Sequence, residues 1–73
     1  MKERYFVYVC YGTEEQITEF KNHLFMNGYD FSIREEDGIE ITIHEEETDY
    51  VETMMDDRNI NYRIIDVEWK IKG

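Results

Sequence analysis

A run of β-favouring, mostly apolar residues near the start of the chain restricts most strongly what it can fold into. Residues 4–11 are Arg-Tyr-Phe-Val-Tyr-Val-Cys-Tyr, with apolar side chains at odd and even positions alike, and Gly12 ends the run. Successive side chains of a strand point to opposite faces of a sheet. Because both faces of this strand are apolar, the run predicts a central strand of the sheet.

The next segment carries the signals of an amphipathic helix. Thr13 and Gln16 stand at the two ends of a capping-box pattern, Thr-Glu-Glu-Gln, in which each side chain bonds the other residue's backbone N–H. Apolar residues then recur at helical spacing and form the predicted buried stripe: Ile17, Phe20, Leu24 and Phe25. The helix is predicted to end at Asn27-Gly28, because Gly28 tolerates the left-handed conformation that follows many helices.

Two alternating segments predict a β-hairpin. Residues 29–35 and residues 39–44 each alternate apolar with polar side chains. The apolar members are Tyr29, Phe31 and Ile33 in the first segment and Ile39, Ile41 and Ile43 in the second. Between them lies Glu36-Asp37-Gly38, and Asp-Gly is a strong hairpin signal. We therefore expect two antiparallel strands, each with one face in water.

The remaining segments predict a second helix and a last strand. Thr48 or a nearby acid opens the helix, which ends near Arg58. Its predicted buried stripe is Tyr50, Val51, Met54 and Met55. The last strand is predicted over residues 60–71, with an apolar set of side chains alternating with a mostly charged set. The apolar set is Ile65, Val67, Trp69 and Ile71, and the other set is Ile64, Asp66, Glu68 and Lys70.

The predicted order is thus β-α-β-β-α-β in a single domain over residues 1–73. It resembles the ferredoxin-like α+β fold, in which two helices cover one face of a four-stranded antiparallel sheet. That fold hosts many unrelated functions, so it does not identify one. The helices cover only one face, whereas the first strand is apolar on both. This mismatch predicts a homodimer, through the open sheet face or an edge strand.

The charge of the chain is concentrated in one segment. Acids outnumber bases 18 to 8, and the net charge is −10. Residues 35–57, called here the acidic segment, hold eleven acids and no base, whereas the rest of the chain carries +1. We predict that these acids bind a partner: Glu35, Glu36, Asp37, Glu40, Glu45, Glu46, Glu47, Asp49, Glu52, Asp56 and Asp57.

The spacing of these acids favours mimicry of a nucleic acid. Asp49, Glu52 and Asp56 follow at i, i+3 and i+7, which predicts one exposed helix face with neighbours roughly 5–6 Å apart. Such a row is comparable with the line of phosphates along DNA. The alternative is a solvated face that only keeps the protein soluble. Against it, the acids repel one another and no Lys or Arg is interleaved with them.

Charge and composition exclude several classes of function. The net charge predicts repulsion from phosphates, so we expect no direct binding of nucleic acid or of an anionic membrane. No apolar stretch approaches the roughly 20 residues of a transmembrane helix. Cys10 is the only cysteine, which excludes a disulfide framework and a cysteine-rich zinc site and fits a reducing compartment.

The residues that usually carry catalysis are not arranged for it. The three consecutive glutamates before the second helix lack the glycine of an EF-hand loop. His23 and His44 have no nucleophile near them in sequence and no zinc-binding spacing. A phosphate could sit after Gly12, at the start of the first helix, but that helix start is acidic. We therefore predict no enzymatic activity, no metal and no cofactor.

In size, acidity and αβ pattern the chain resembles the small acidic DNA mimics that bacterial viruses make against host DNA-binding proteins, in particular viral inhibitors of the HU nucleoid protein. This resemblance implies an inhibitor that occupies the DNA-binding surface of a basic, HU-like protein in the bacterial cytoplasm. Two alternatives remain open. One is an anti-CRISPR-type inhibitor of a nuclease DNA channel, and the other is a plain regulatory ferredoxin-like domain.

Overall fold

The fold is α+β, as predicted. A computed structural model describes residues 1–34 and 38–71. In chain order its elements are β1 (Lys2–Tyr11), α1 (Glu14–Met26), β2 (Phe31–Ile33), β3 (Ile39–His44), α2 (Thr48–Asp57) and β4 (Asn61–Ile71). The strands form one antiparallel sheet in the order β2-β3-β1-β4. Both helices pack on the same face of this sheet, which confirms the ferredoxin-like arrangement.

Strand β1 lies at the centre of the sheet and is buried on both faces along its second half. It pairs with β3 on one side and with β4 on the other. Tyr8 and Cys10 point towards the helices and belong to the core. Val7 and Val9 point to the open face, yet they are only 5% and 1% exposed. Side chains of β3 and β4 flank them, so the monomer itself covers the second apolar face of this strand.

The core fills the space between the helices and the sheet. Its buried members are Tyr8, Cys10, Ile17, Phe20, Leu24, Ile39, Ile41, Ile43, Val51, Met54, Met55 and Ile60. Two predicted core residues are missing from it, because Phe25 is 79% and Tyr50 53% exposed. Each follows or precedes a buried residue by one position, about 100° around the helix. A helix on a sheet buries a narrower stripe than the sequence pattern suggested.

Helix α1 begins and ends as predicted. Its capping box is complete, since Gln16 N–H donates to Thr13 Oγ1 at 3.2 Å and Thr13 N–H donates to Gln16 Oε1 at 2.8 Å. At the other end Gly28 has φ +77°, the left-handed conformation that glycine adopts without strain. Tyr29 N–H then donates to Leu24 O at 2.9 Å and closes the helix end.

The predicted hairpin is confirmed in its strands, although β2 is shorter than residues 29–35. Phe31 pairs with Ile41, and Arg34 N–H donates to Gly38 O at 2.8 Å. Ile33 is 74% exposed, so only the start of β2 packs on the core. The predicted tip, Glu36 and Asp37, lies outside the described residues.

A bulge interrupts β4, and the unbroken alternation predicted for this strand is therefore wrong. Asp66 pairs with Val7 whereas Ile64 pairs with Tyr8, so Ile65 is an extra residue. Beyond the bulge the charged residues point to the open face of the sheet: Asp66, Glu68 and Lys70. The apolar residues point to the helix side: Val67, Trp69 and Ile71. Within the described residues no helix is long and apolar enough to cross a membrane.

Gly38 is expected to tolerate no side chain. A Cβ there would lie 2.7 Å from Cε1 of Tyr11. Gly38→Ala should therefore lower the free energy of unfolding by about 1–3 kcal/mol in urea titrations. In a Tyr11→Ala background the same change should cost much less, because the ring is gone. Equal costs in both backgrounds would show that the ring is not the obstacle.

Burial of Cys10 predicts a loss of stability in alkali. Desolvation raises the pKa of its thiol from 9.0 to about 12. Below pH 9 both states keep the proton, whereas above pH 9 only the unfolded chain loses it. The free energy of unfolding should then fall by up to about 1.4 kcal/mol per pH unit. Cys10→Ala should remove this decline between pH 9 and 10, and its persistence there would assign it to other groups.

Candidate acidic binding surface

The acidic segment covers β3, a single 3₁₀ turn (Glu45–Glu47) and α2. The turn continues directly into the helix. His44 fixes its start, since its ring Nδ1 accepts a hydrogen bond from Glu46 N–H at 3.1 Å. Glu35 lies outside the described residues, as do the two tip residues of the hairpin. The other eight acids divide into those with partners in the chain and those without.

Two of the predicted binding residues form ion pairs with arginines of neighbouring strands or loops. Glu40 Oε1 lies 2.7 Å from Arg34 Nη1. Glu45 Oε2 accepts from Arg4 Nη2 at 2.8 Å and from its Nε at 2.9 Å. All four side chains are partly exposed, so each pair stabilises the fold by only about 0–1 kcal/mol. Their main effect is to neutralise two of the carboxylates that a partner could meet.

Two further acids accept hydrogen bonds from tyrosines. Glu47 Oε1 accepts from the Tyr29 hydroxyl at 2.9 Å. Glu52 lies between two tyrosines of the sheet and accepts from Tyr8 at 2.5 Å and from Tyr62 at 3.3 Å. The prediction that Glu52 shares an exposed face with Asp49 is therefore wrong. Its long side chain turns inwards because the buried hydroxyl of Tyr8 needs an acceptor.

The same contacts favour the protonated form of the tyrosines. Burial, followed by the hydrogen bond to Glu52, raises the pKa of Tyr8 well above its usual value. Burial and the nearby Glu52 also raise the pKa of Tyr62. For Tyr29, burial and the bond to Glu47 raise the pKa to about 12. All three hydroxyls remain donors at neutral pH, so these two glutamates are structural acceptors as well as charges.

Four acids of the segment have neither a hydrogen bond nor an ion pair from their carboxylates in the described part of the chain. They are Glu46, Asp49, Asp56 and Asp57, called here the α2 acidic surface. All four are exposed. Asp49 and Asp56 are seven residues apart, which places them on one side of α2 at a distance of about 10 Å along its axis.

Two residues beside this surface were not among the predicted binding residues. Glu19 of α1 lies outside the acidic segment, but it lines a shallow depression together with Asp57, His23 and Arg58. Only the tertiary packing of the two helices brings Glu19 there, so no sequence signal could have placed it. Tyr50 was predicted to be buried, and it instead presents an exposed aromatic ring next to Asp49. The helical pattern alone could not show this, because the width of the buried stripe depends on the surface that the helix meets.

The side chains that could carry chemistry are occupied otherwise. Cys10 is buried and its thiol faces Met55 Sδ at 3.4 Å. Arg58 bonds the Met54 carbonyl and the His23 ring, each at 3.1 Å, and so ties the ends of the two helices together. Within residues 1–34 and 38–71, no three His, Cys, Asp or Glu side chains are grouped so that they could hold a metal ion.

Comparisons with protein-family models, with curated proteins and with solved structures found no match to this chain. The functional argument therefore depends on the geometry described above.

Glu52 should matter more for stability than the exposed acids of the same helix. Glu52→Ala removes the acceptor of a buried hydroxyl and should lower the free energy of unfolding by about 1–3 kcal/mol. Asp56→Ala, on the exposed side of α2, should change it by no more than about 0.5 kcal/mol. Urea denaturation followed by circular dichroism measures both. Similar effects of the two substitutions would contradict the structural role of Glu52.

Proposed function

We propose that this chain is a DNA mimic that binds the DNA-binding surface of a basic protein and keeps DNA away from it. The observation that supports this proposal best is the α2 acidic surface. Its carboxylates are exposed and form no ion pair within the described residues, whereas the other four described acids of the segment are already ion-paired or hydrogen-bonded. A surface left unneutralised in this way is available to Lys and Arg of a partner.

The spacing of the surface suits such a partner. Phosphates of one DNA strand follow each other at about 3.4 Å along the duplex axis. About 10 Å along α2 separates Asp49 from Asp56, and a similar length of duplex axis also carries several phosphates of one strand. The surface therefore resembles DNA in its density of anionic groups, to which several basic side chains of a partner can bind together.

The energetic contribution is collective. A single exposed ion pair is worth only about 0–1 kcal/mol, so no one carboxylate should dominate. Several together accelerate encounter and give an association that weakens steeply with salt. Tyr50 adds an exposed ring among these charges, and tyrosines are frequent among the residues that dominate protein interfaces. We therefore assign the electrostatic attraction to the carboxylates and a short-range contact to Tyr50.

A basic nucleoid protein of the HU type is the partner that the sequence resemblance favours. Such a protein reads DNA through its phosphates and shape, which a rigid row of carboxylates can imitate more readily than base edges. A nuclease DNA channel is the alternative partner, and the competition experiment below separates the two by using each as the target.

The proposal predicts competition with DNA. At fixed salt, a labelled duplex bound to an HU-like protein should be released as the acidic protein is added, whereas a duplex bound to a nuclease, the second target, should stay bound. Direct binding of the acidic protein to the HU-like protein, measured without DNA, should weaken when salt is raised from about 0.1 to 1 M. The triple variant Asp49→Asn, Asp56→Asn, Asp57→Asn should compete about ten- to a hundredfold more weakly. Fluorescence anisotropy measures the release, with circular dichroism as the fold control.

A matched variant distinguishes the effect of the α2 acidic surface on competition from the effect of the total net charge. Glu14→Gln, Glu15→Gln and Asp30→Asn also remove three exposed charges, none of which is on α2. This control should compete nearly as well as the wild type. If both triple variants lose competition equally, total charge and not the α2 acidic surface is responsible. If excess wild-type protein displaces DNA from neither target, the mimicry proposal is wrong.

A further inference from the structure

We infer that the outer edge of β4 binds a second copy of this chain, in antiparallel pairing with Trp69 opposite Trp69 of the other copy. This inference does not depend on which partner the α2 acidic surface binds. It specifies one of the two routes to a homodimer that the sequence left open. The open face of β1, which suggested the other route, is already covered within the monomer.

The two edges of the sheet differ in their protection against further pairing. At one edge β2 has three residues, which offers few free backbone groups. At the other edge β4 has eleven residues and, among the described strands, pairs only with β1. Edge strands are usually short, bent, or shielded by charge or proline, because free N–H and C=O groups recruit other strands. Beyond its bulge β4 contains no proline, and its side chains on the helix side of the sheet carry no charge.

The side chains on the helix side of this edge are apolar and uncovered. Val67 is 40%, Trp69 60% and Ile71 79% exposed, and Ile64 and Ile65 are also exposed. Single exposed apolar residues are ordinary, but a continuous row of them along the outer edge strand of a sheet indicates an interface. Arg4 lies near the Trp69 ring, 5.8 Å from its centroid, and leaves more than half of that residue in water.

On the open face of the sheet, the charged side chains of β4 in one copy can pair with those of opposite charge in a second copy. In antiparallel pairing centred on Trp69, Glu68 lies opposite Lys70 of the second copy, and Lys70 lies opposite its Glu68. Opposite charges placed directly across two strands stabilise the pair. On the helix side the same register places Val67 opposite the other copy's Ile71. Pairing centred on Glu68 instead would place two glutamates directly against each other.

The net charge of the chain does not oppose this particular contact. Strand β4 contains two bases and two acids, so it carries no net charge. The excess of acids that repels another copy lies in the acidic segment and not on this strand. A second copy can therefore approach along β4 with less repulsion than along any helix face that carries the α2 acidic surface.

Trp69 is the only tryptophan of the chain, and its fluorescence therefore reports on this contact without a label. Sedimentation of the wild type should show a species of twice the 9.0 kDa chain mass. On dilution the dimer should dissociate, and the Trp69 emission should move to longer wavelength as the ring becomes exposed. A wild type that remains monomeric up to about 100 µM overturns the inference.

Charge exchange tests the register. Glu68→Lys places a lysine opposite Lys70, and Lys70→Glu places a glutamate opposite Glu68, twice in each symmetric dimer. Each variant alone should dimerise about tenfold more weakly than the wild type. An equimolar mixture should recover dimers, because the introduced lysine of one variant then faces the introduced glutamate of the other. The doubly exchanged chain, Glu68→Lys with Lys70→Glu, should also recover them.

A matched control keeps this test specific. Glu15→Lys makes the same change in charge on α1 and should leave dimerisation unchanged, with circular dichroism verifying the fold of every variant. If both single exchanges dimerise as tightly as the wild type, the contact lies elsewhere on the molecule. If the doubly exchanged chain stays monomeric while the fold is intact, the Trp69-centred register is wrong.

Discussion

Burial of β1 on both faces is the constraint on which the rest of this structure depends. The strand pairs along both edges, so β3 and β4 take their registers from it. On the helix side Tyr8 and Cys10 anchor the core, and on the open side Val7 and Val9 are shielded by their neighbours. A small domain buries little surface per residue. Enclosing the second half of this strand on both faces gives a chain of this size a continuous core without a second layer over the open face.

Local patterns predicted the elements well because the signals for those elements are local. The capping box of α1 and the left-handed Gly28 involve groups within a few residues of each other, and both formed as expected. The bulge at Ile65 could not be predicted, because it exists only relative to the register of β1. Phe25 and Tyr50 were misplaced for a related reason, since the width of a buried stripe depends on the surface that the helix meets.

The candidate site could also be predicted only in part, because composition locates the acids but does not show their contacts. The sequence located the excess of acids, but it could not say which carboxylates the chain uses for itself. Arg34 and Arg4 come from outside the segment, and so does Tyr8, the donor to Glu52. Most of these contacts join residues that are distant along the chain. Among the described acids of the segment, they leave only the α2 acidic surface without an ion pair or a hydrogen bond to its carboxylates.

The bulge residue Ile65 determines which face of the sheet carries the charged side chains of β4 and which face carries the apolar ones. If Ile65 were paired like its neighbours, the alternation would continue through it. The apolar side chains from Val67 onwards would then point to the open face, and the charged ones would lie beside the helices. The bulge thus acts as a phase shift for the whole second half of the strand. Removing Ile65 from the chain would leave every later side chain on its present face. Keeping Ile65 but closing the bulge would instead turn the charged side chains to the helix side and the apolar ones to the open face, with the amino-acid sequence unchanged.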